Sequence, residues 1–141
     1  MEQKHLTDRF GRRIEYLRLS VTDRCDLRCA YCMPSDFSGY EEPEHWLSFD
    51  EIERLVGLFA RFGLRRVRLT GGDPLMRNGL ASLARRIKAI PGVEDLSLST
   101  NGTQLRKHGQ ALRDAGVDRL NVSLDTLQPA RFAEITRRDA L

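Results

Sequence analysis

Strand-like and helix-like patterns alternate four times along this 141-residue chain, at intervals of about 25 residues. Each strand pattern alternates apolar with polar residues, and each helix pattern repeats apolar residues at helical spacing. Such β/α units form a parallel sheet with right-handed crossovers. The sequence therefore predicts an α/β fold, in one domain spanning residues 1–141, with strands over 14–21, 65–70, 94–99 and 117–124 and helices over 48–63, 80–90, 104–115 and from 129 onwards.

Every unusual segment of the sequence follows one of these predicted strands. Ligands of parallel sheets bind beyond the carboxyl ends of the strands. We therefore predict one binding site at that edge of the sheet, built from the 26-residue loop 22–47 and from the segments Gly71-Gly-Asp-Pro74, Ser99-Thr-Asn-Gly102 and Ser123-Leu-Asp125.

The loop after the first strand holds the only cysteines of the chain, Cys25, Cys29 and Cys32, spaced C-x3-C-x2-C. Thiolates are soft ligands suited to zinc, copper(I) or iron-sulfur clusters, and three on one loop can close over a single metal centre. Three ligands leave a four-iron cluster one short, so one iron would stay open to a substrate or cofactor.

Other interpretations of the cysteines are weaker. Buried structural cysteines have no reason to cluster on a loop. A structural zinc site lacks a nearby fourth ligand, because the nearest histidine is His45. Disulfides fit poorly, since the cysteine count is odd and no secretory signal stands at the N-terminus. We therefore favour a cluster with an open iron.

Composition excludes several classes of function. No apolar run approaches the ~18 residues of a membrane span, and no basic block of the nucleic-acid-binding type accompanies the net charge of +3. We predict a cytoplasmic protein that binds neither membranes nor nucleic acid, in a compartment that keeps an oxygen-sensitive cluster and its thiols reduced.

The cysteine spacing, with an aromatic residue before the last cysteine, resembles the signature of the radical S-adenosylmethionine (radical SAM) superfamily. Longer segments resemble one of its families, the GTP 3',8-cyclases of molybdenum cofactor biosynthesis: Leu17-Arg-Leu-Ser-Val-Thr-Asp-Arg-Cys25, Cys29-Ala-Tyr-Cys-Met-Pro34, Arg68-Leu-Thr-Gly-Gly-Asp-Pro-Leu-Met-Arg77, Ser99-Thr-Asn-Gly102 and Arg119-Leu-Asn-Val-Ser-Leu-Asp-Thr-Leu127. The resemblance implies the first four β/α units of a radical SAM partial TIM barrel.

The resemblance also implies cofactors, substrate and chemistry. A 4Fe-4S cluster, reduced by an external one-electron donor, cleaves S-adenosylmethionine to a 5'-deoxyadenosyl radical. This lyase activity converts GTP to (8S)-3',8-cyclo-7,8-dihydroguanosine 5'-triphosphate. By position in the motifs, the site residues would be Cys25, Cys29 and Cys32 for the cluster, Tyr31, Gly72, Asp73 and Ser123 for S-adenosylmethionine, and Arg18, Arg68 and Ser99 for GTP. Asp73 stands where the family usually has Glu, and Ser99 where it usually has Thr.

The two arginines have a physical rationale at these positions. Arg18 alternates with leucines in its strand, so it faces either solvent or a pocket. The guanidinium fork binds phosphate oxygens bidentately, and the resemblance makes the inward direction the favoured one for Arg18 and Arg68.

Members of the family are more than twice as long and carry a second three-cysteine cluster. An open parallel sheet leaves an unpaired edge and uncovered apolar surface. We therefore expect an incomplete core domain that associates with a companion chain or with itself. The alternatives are an Fe-S and S-adenosylmethionine half-site without catalysis, a degenerate fragment with a structural metal, and a different radical SAM enzyme.

Overall fold

The computed structural model describes residues 5–141. Its strands and helices alternate in the predicted order: β1 (Tyr16–Ser20), α1 (Phe49–Arg61), β2 (Arg66–Thr70), α2 (Leu80–Lys88), β3 (Asp95–Thr100), α3 (Leu105–Asp114), β4 (Arg119–Val122) and α4 (Pro129–Thr136). The four strands form one sheet in the order β1-β2-β3-β4, and every neighbouring pair is parallel. The predicted α/β architecture with a parallel sheet is confirmed.

Helices α1, α2 and α3 cover one face of the sheet. The apolar residues of β2 and β3 point into this layer and are fully buried, as are the facing residues of α1 and α2; the set includes Val67, Leu69, Leu96, Leu98, Ile52, Val56, Leu83 and Ile87. The opposite face carries the alternate residues, which are mostly polar. The period-2 pattern of the strands therefore separates a packed face from an open face.

Local signals place the helix starts as expected. Ser48 and Glu51 form a complete capping box at the start of α1, which satisfies backbone N–H groups that have no partner within the helix. Pro129 occupies the first turn of α4, where its missing N–H costs no hydrogen bond. Several elements are one to four residues shorter than predicted, because chain ends fray where pairing stops.

The long loop after β1 contains more structure than the sequence pattern predicted. Residues Pro43–His45 form a 3-10 helix, closed by a hydrogen bond from the Trp46 N–H to the Pro43 carbonyl. A proline at the start of a turn presets the backbone for such a helix. The predicted loop over 22–47 therefore includes one short helical turn.

The amino-terminal arm folds back on itself before β1. Thr7 and Arg13 form an antiparallel bridge, and the Asp8 carboxylate accepts the backbone N–H groups of Phe10 and Arg12. Gly11 adopts a positive φ of 79° at the turn, the conformation that favours glycine. The predicted Gly turn is present, while residues 1–4 of the predicted arm lie outside the described residues.

The apolar layer is incomplete at β4. Leu120 and Val122 are 43% and 51% exposed, because α4 packs beside the cysteine loop and not over β4. The Arg28 and Ala30 N–H groups donate to the carbonyls of the last two residues of α4, at 2.9 and 2.8 Å. The expected uncovered apolar surface is therefore present on this edge strand. Within residues 5–141, no helix is long and apolar enough to cross a membrane.

Candidate active site

Two loops at the carboxyl edge of the sheet touch through their backbones. The Gly72 N–H donates to the Thr22 carbonyl at 2.8 Å, and the Asp73 N–H donates to the Arg24 carbonyl at 2.7 Å. A Cβ atom at Gly72 would lie 2.3 Å from the Arg24 oxygen. Glycine is therefore required where the Gly-Gly segment meets the start of the cysteine loop.

The Asp73 carboxylate joins the end of β2 to the end of β3. It is buried, and one oxygen accepts the Leu75 N–H at 2.9 Å. The other oxygen accepts the Thr100 hydroxyl and the Asn101 N–H, both at 2.7 Å. Three neutral donors thus satisfy this carboxylate, and its short side chain is committed to holding protein segments together.

The three cysteines are free thiols on the loop between β1 and α1. Cys25 and Cys29 are half-buried, whereas Cys32 is exposed. Burial is the largest cause that raises the pKa of the Cys25 and Cys29 thiols, and a neighbouring cysteine adds to it in both cases. The loop turns tightly here, since the Cys32 and Met33 N–H groups both donate to the Cys29 carbonyl.

The donor chemistry of this loop suits an iron-sulfur cluster. Three thiols on one loop are the ligand type that such clusters take, and none is consumed by a disulfide. Within the described part of the chain, no group of three His, Cys, Asp or Glu side chains has the arrangement of a metal-ion site. The thiols are thus on one loop, as predicted, without forming a closed ligand set.

Cationic side chains hold the cysteine loop in shape. The Arg24 and Arg28 guanidinium carbons lie 4.6 and 5.5 Å from the centre of the Tyr40 ring, distances typical of cation–π contacts. Arg28 also donates to the Cys25 carbonyl at 2.6 Å. From α4's end, Arg137 donates to the Met33 carbonyl at 3.0 Å. The cysteine loop is therefore held in place by arginines of its own sequence and by Arg137, which lies more than a hundred residues later in the chain.

Two predicted cofactor residues, Tyr31 and Ser123, lie near the carboxyl end of β4. Ser123 follows the last residue of this strand, and Tyr31 contacts the segment after it. Tyr31 is 70% exposed, and its hydroxyl donates to the Asp125 carboxylate at 2.8 Å. This hydrogen bond is the main cause that raises the pKa of Tyr31 far above its usual value. The Ser123 N–H donates to the Thr100 carbonyl at 2.9 Å, so β4 continues its pairing with β3 to this exposed serine. The structure brings both residues to the predicted edge.

The predicted substrate residues share the open face of the sheet. Arg18 and Arg68 are direct partners in the register of β1 and β2, and Arg68 is opposite Ser97 of β3. Arg68 Nε donates to the Ser97 hydroxyl at 3.3 Å. Ser99 lies two residues further along β3 on the same face. Within residues 5–141, Arg18 forms no ion pair, so its charge is available to an anionic ligand.

Sequence reasoning gave no individual role to several residues of this region: Asp26, Ser97, Asn101, Thr103 and Asp125. The Asp26 carboxylate accepts hydrogen bonds from Asn101 Nδ2 at 2.8 Å, from Gln104 at 3.4 Å and from the Thr103 hydroxyl. Burial raises the pKa of Asp26, but these hydrogen bonds outweigh burial and leave the pKa below its usual value. The sequence placed the cysteine loop, the Ser99–Gly102 segment and the Ser123–Asp125 segment at the binding edge, but it gave no signal for contacts between these side chains.

Residues 19–141 match the model of the Radical SAM superfamily. The chain belongs to the radical SAM superfamily. Membership implies a 4Fe-4S cluster and S-adenosylmethionine as cofactors, as the cysteine spacing predicted. The matched range includes the loop with the three free thiols.

The predicted resemblance to GTP 3',8-cyclases is confirmed by curated relatives of that name. The chain is 49% identical over 134 residues to GTP 3',8-cyclase of Limosilactobacillus fermentum, covering 95% of this chain and 40% of the relative. It is 51% identical to GTP 3',8-cyclase 1 of Pseudomonas aeruginosa, with 93% and 40% covered, and 52% identical to GTP 3',8-cyclase of Erythrobacter litoralis, with 100% and 43% covered. The chain spans about two fifths of the length of these relatives.

A solved structure supports the fold. The crystal structure of BtrN in complex with AdoMet and 2-DOIA superposes with a TM-score of 0.58 at 18% identity, covering 85% of this chain and 50% of BtrN. At this identity the likeness concerns the fold. Together with the family match, it confirms that the four parallel β/α units are part of a radical SAM barrel.

Proposed function

We propose that this chain forms the cluster-binding and S-adenosylmethionine-binding part of a GTP 3',8-cyclase. One juxtaposition carries the proposal: β1 presents Arg18 on the open face and leads directly into the loop with three free thiols. The proposed polyphosphate site would therefore lie next to the proposed cluster site. The sequence identity of 49% and 51% to two curated GTP 3',8-cyclases supports GTP over other substrates.

The cluster would be held by Cys25, Cys29 and Cys32, leaving one iron for S-adenosylmethionine. Tyr31, Gly72 and Ser123 are the residues that we assign to the cofactor. Gly72 has no side chain and lies against the cysteine loop, so its backbone can approach a ligand closely. Because three protein donors engage its carboxylate, we assign Asp73 to holding this part of the cofactor site in place.

Arg18 and Arg68 would bind the phosphates of GTP, and the Ser99 hydroxyl would contact the nucleotide further along β3. Two guanidinium groups in register on neighbouring strands suit a polyphosphate, since each can form paired N–H···O bonds. When bound, the cluster and S-adenosylmethionine would supply the radical chemistry that starts the cyclisation of GTP. The electrons would come from an external one-electron donor.

We further propose that the exposed apolar side of β4 is covered by the remaining units of the barrel. Leu120 and Val122 present apolar surface on an edge strand, which attracts another strand or helix. These units would come either from the same polypeptide or from a companion chain. The protein would work in the cytoplasm, where thiols stay reduced.

The test is anaerobic reconstitution with iron and sulfide, followed by EPR of the dithionite-reduced protein with and without S-adenosylmethionine. We expect a four-iron signal that changes when S-adenosylmethionine is added, and no signal in Cys29→Ala. A wild-type chain without a four-iron cluster, or a signal indifferent to S-adenosylmethionine, would contradict the proposal. A cluster that binds S-adenosylmethionine while GTP is neither bound nor converted would favour the half-site without catalysis.

A paired measurement separates the nucleotide site from the cluster site. We expect Arg68→Ala to keep wild-type iron content while GTP binding weakens at least tenfold, because one hydrogen-bonded charge pair contributes about 1.5–3 kcal/mol. Arg106→Ala, on the exposed side of α3, removes the same charge elsewhere and should leave GTP binding unchanged. Equal weakening in both variants would mean that only net charge matters.

A further inference from the structure

The side-chain amide of Asn101 contacts a predicted cluster ligand. Its Nδ2 atom lies 3.6 Å from Sγ of Cys25, within hydrogen-bonding distance for sulfur. Asn101 follows the last residue of β3, whereas Cys25 belongs to the loop after β1. The contact therefore joins residues 76 positions apart in the chain, and it gives the sulfur a polar neighbour from outside the cysteine loop.

Two further hydrogen bonds fix the orientation of this amide. Nδ2 also donates to the Asp26 carboxylate at 2.8 Å, and the side-chain oxygen of Asn101 accepts the Thr103 N–H at 3.0 Å. A flipped amide would point its oxygen at the carboxylate and its N–H₂ at a donor, so only one orientation satisfies all partners. The N–H₂ group is consequently directed at the sulfur.

The backbone of Asn101 is anchored as firmly as its side chain. Its N–H donates to the buried Asp73 carboxylate at 2.7 Å. On the other side, the Thr103 hydroxyl and the Gln104 amide also hold the Asp26 carboxylate that Asn101 contacts. The amide is thus held against Cys25 by its own hydrogen bonds and by those of the Asp26 carboxylate.

We propose that Asn101 is a positioning residue that donates a hydrogen bond to the Cys25 thiolate and so raises the reduction potential of the cluster. The proposal rests on the ligand role of Cys25 proposed above. Reduction adds negative charge to the cluster and its sulfur ligands, and a hydrogen-bond donor at sulfur stabilises the reduced state more than the oxidised state. A higher potential makes the first electron easier to deliver from an external donor.

The test is an EPR-monitored potential titration of the reconstituted cluster, without S-adenosylmethionine or GTP. We expect Asn101→Ala to lower the ratio of reduced to oxidised cluster about tenfold at a fixed potential, ~59 mV for a one-electron couple. Asn101→Asp keeps the shape but replaces the donor with a carboxylate oxygen, so the shift should have the same sign and be larger. Iron and sulfide content, measured for every variant, reports whether the cluster is present.

Thr103→Val is the matched control. It removes one donor from Asp26 but keeps the Thr103 N–H and the Asn101 amide, so the potential should stay within error of wild type. Unchanged potentials in both Asn101 variants at full iron content would overturn the inference and leave the ligand role of Cys25 intact. Loss of the cluster from both variants but not from Thr103→Val would also overturn it, making Asn101 a residue of assembly. A wild-type chain that binds no cluster would overturn both proposals.

Discussion

The two ends of the sheet handle their charged groups differently. At the amino end, opposite charges pair with each other: Lys88 with Asp118, Arg119 with Asp95, and Arg65 with Glu94. At the carboxyl end, the carboxylates of Asp26 and Asp73 accept hydrogen bonds from neutral hydroxyl, amide and backbone groups. Within residues 5–141 neither forms an ion pair. Fixing carboxylates with neutral donors leaves the nearby cations and thiols available for ligands.

This difference should appear in sensitivity to mutation. Exposed ion pairs contribute about 0–1 kcal/mol each, because water screens them and ordering the side chains costs entropy. A buried group left without its partner costs about 1–3 kcal/mol. We therefore expect substitutions at the carboxyl end to be costly even where no ligand is bound, and substitutions at the amino end to be mild.

The largest effect is expected for Gly72→Ala. The new Cβ would meet the Arg24 carbonyl, which is backbone and cannot rotate away, so the two loops must separate at a cost of about 3 kcal/mol in unfolding free energy. The matched control is Gly109→Ala in α3, where a Cβ meets nothing within 4 Å; it should gain about 0.5–1 kcal/mol from helix propensity. Urea unfolding of both variants measures the difference.

If Gly72→Ala unfolds at the wild-type urea concentration, the close approach of the two loops is not needed for stability, and the contrast between the ends fails at its strongest point. If Gly72→Ala is stable and still binds a four-iron cluster, glycine is needed at this position neither for folding nor for cluster binding. The requirement would then belong to a later step, such as cofactor binding.

A second large effect is expected for Asp73→Ala. It leaves the Thr100 hydroxyl and the Leu75 and Asn101 N–H groups without their acceptor in a buried place, at a cost of about 2–3 kcal/mol. Thr100→Val removes one of these three hydrogen bonds, together with the acceptor of the Gly102 N–H, and should cost less, about 1 kcal/mol. Equal costs for the two variants would mean that one bond carries the whole effect.

The fold was accessible from the sequence because its signals are local. Period-2 strands, the Ser48–Glu51 capping box and Pro129 each act within a few residues, and together they fix the order of elements and the packed face. The motif segments also fall at the predicted edge, since parallel strands bring their carboxyl ends together. A strand pattern does not show where hydrogen bonding to the neighbouring strand stops. For this reason β4 is four residues long, whereas eight were predicted.

The chemistry within the site was less accessible, because it depends on pairs far apart in the chain. Asn101 meets Asp26 across 75 residues, and Tyr31 meets Asp125 across 94. No periodicity or spacing encodes such a contact, whose existence depends on the register of neighbouring strands and on side-chain direction. For Asp73, the motif suggested a cofactor contact, whereas the structure shows which protein groups occupy the carboxylate.

A moderate effect, dependent on pH, is expected at the amino end for Asp118→Asn. Burial raises the pKa of Asp118, but the Leu96 N–H and Lys88 outweigh it and lower the pKa below its usual value. A lowered folded-state pKa stabilises the protein above the unfolded value of about 3.9, and this contribution is lost as the pH falls through the folded value. At pH 7 the substitution should cost about 1 kcal/mol, measured by urea unfolding.

The sign of the pH dependence is the sharper part of that experiment. The difference in unfolding free energy between wild type and Asp118→Asn should shrink as the pH falls from 6 to 3, because the wild-type carboxyl group becomes protonated and loses its attraction to Lys88. A difference that stays constant over this range would mean that the hydrogen bond to Leu96 matters and the charge does not.

The smallest effect is expected for the Arg65–Glu94 pair, whose atoms lie 3.0 Å apart with about half of each side chain exposed. A double-mutant cycle with Arg65→Ala and Glu94→Ala should give a coupling energy below about 0.5 kcal/mol, and added salt should reduce it further.

The same cycle with Asp73→Ala and Thr100→Val should give at least twice that coupling, with little dependence on salt, because its members are buried and the donor is neutral. Equal coupling and equal salt dependence in the two cycles would mean that burial and partner type do not distinguish the two ends. Stronger coupling in the Asp73–Thr100 cycle would show that the hydrogen bonds of the buried Asp73 carboxylate, which also accepts the Asn101 N–H, stabilise the carboxyl end more than an exposed ion pair stabilises the amino end.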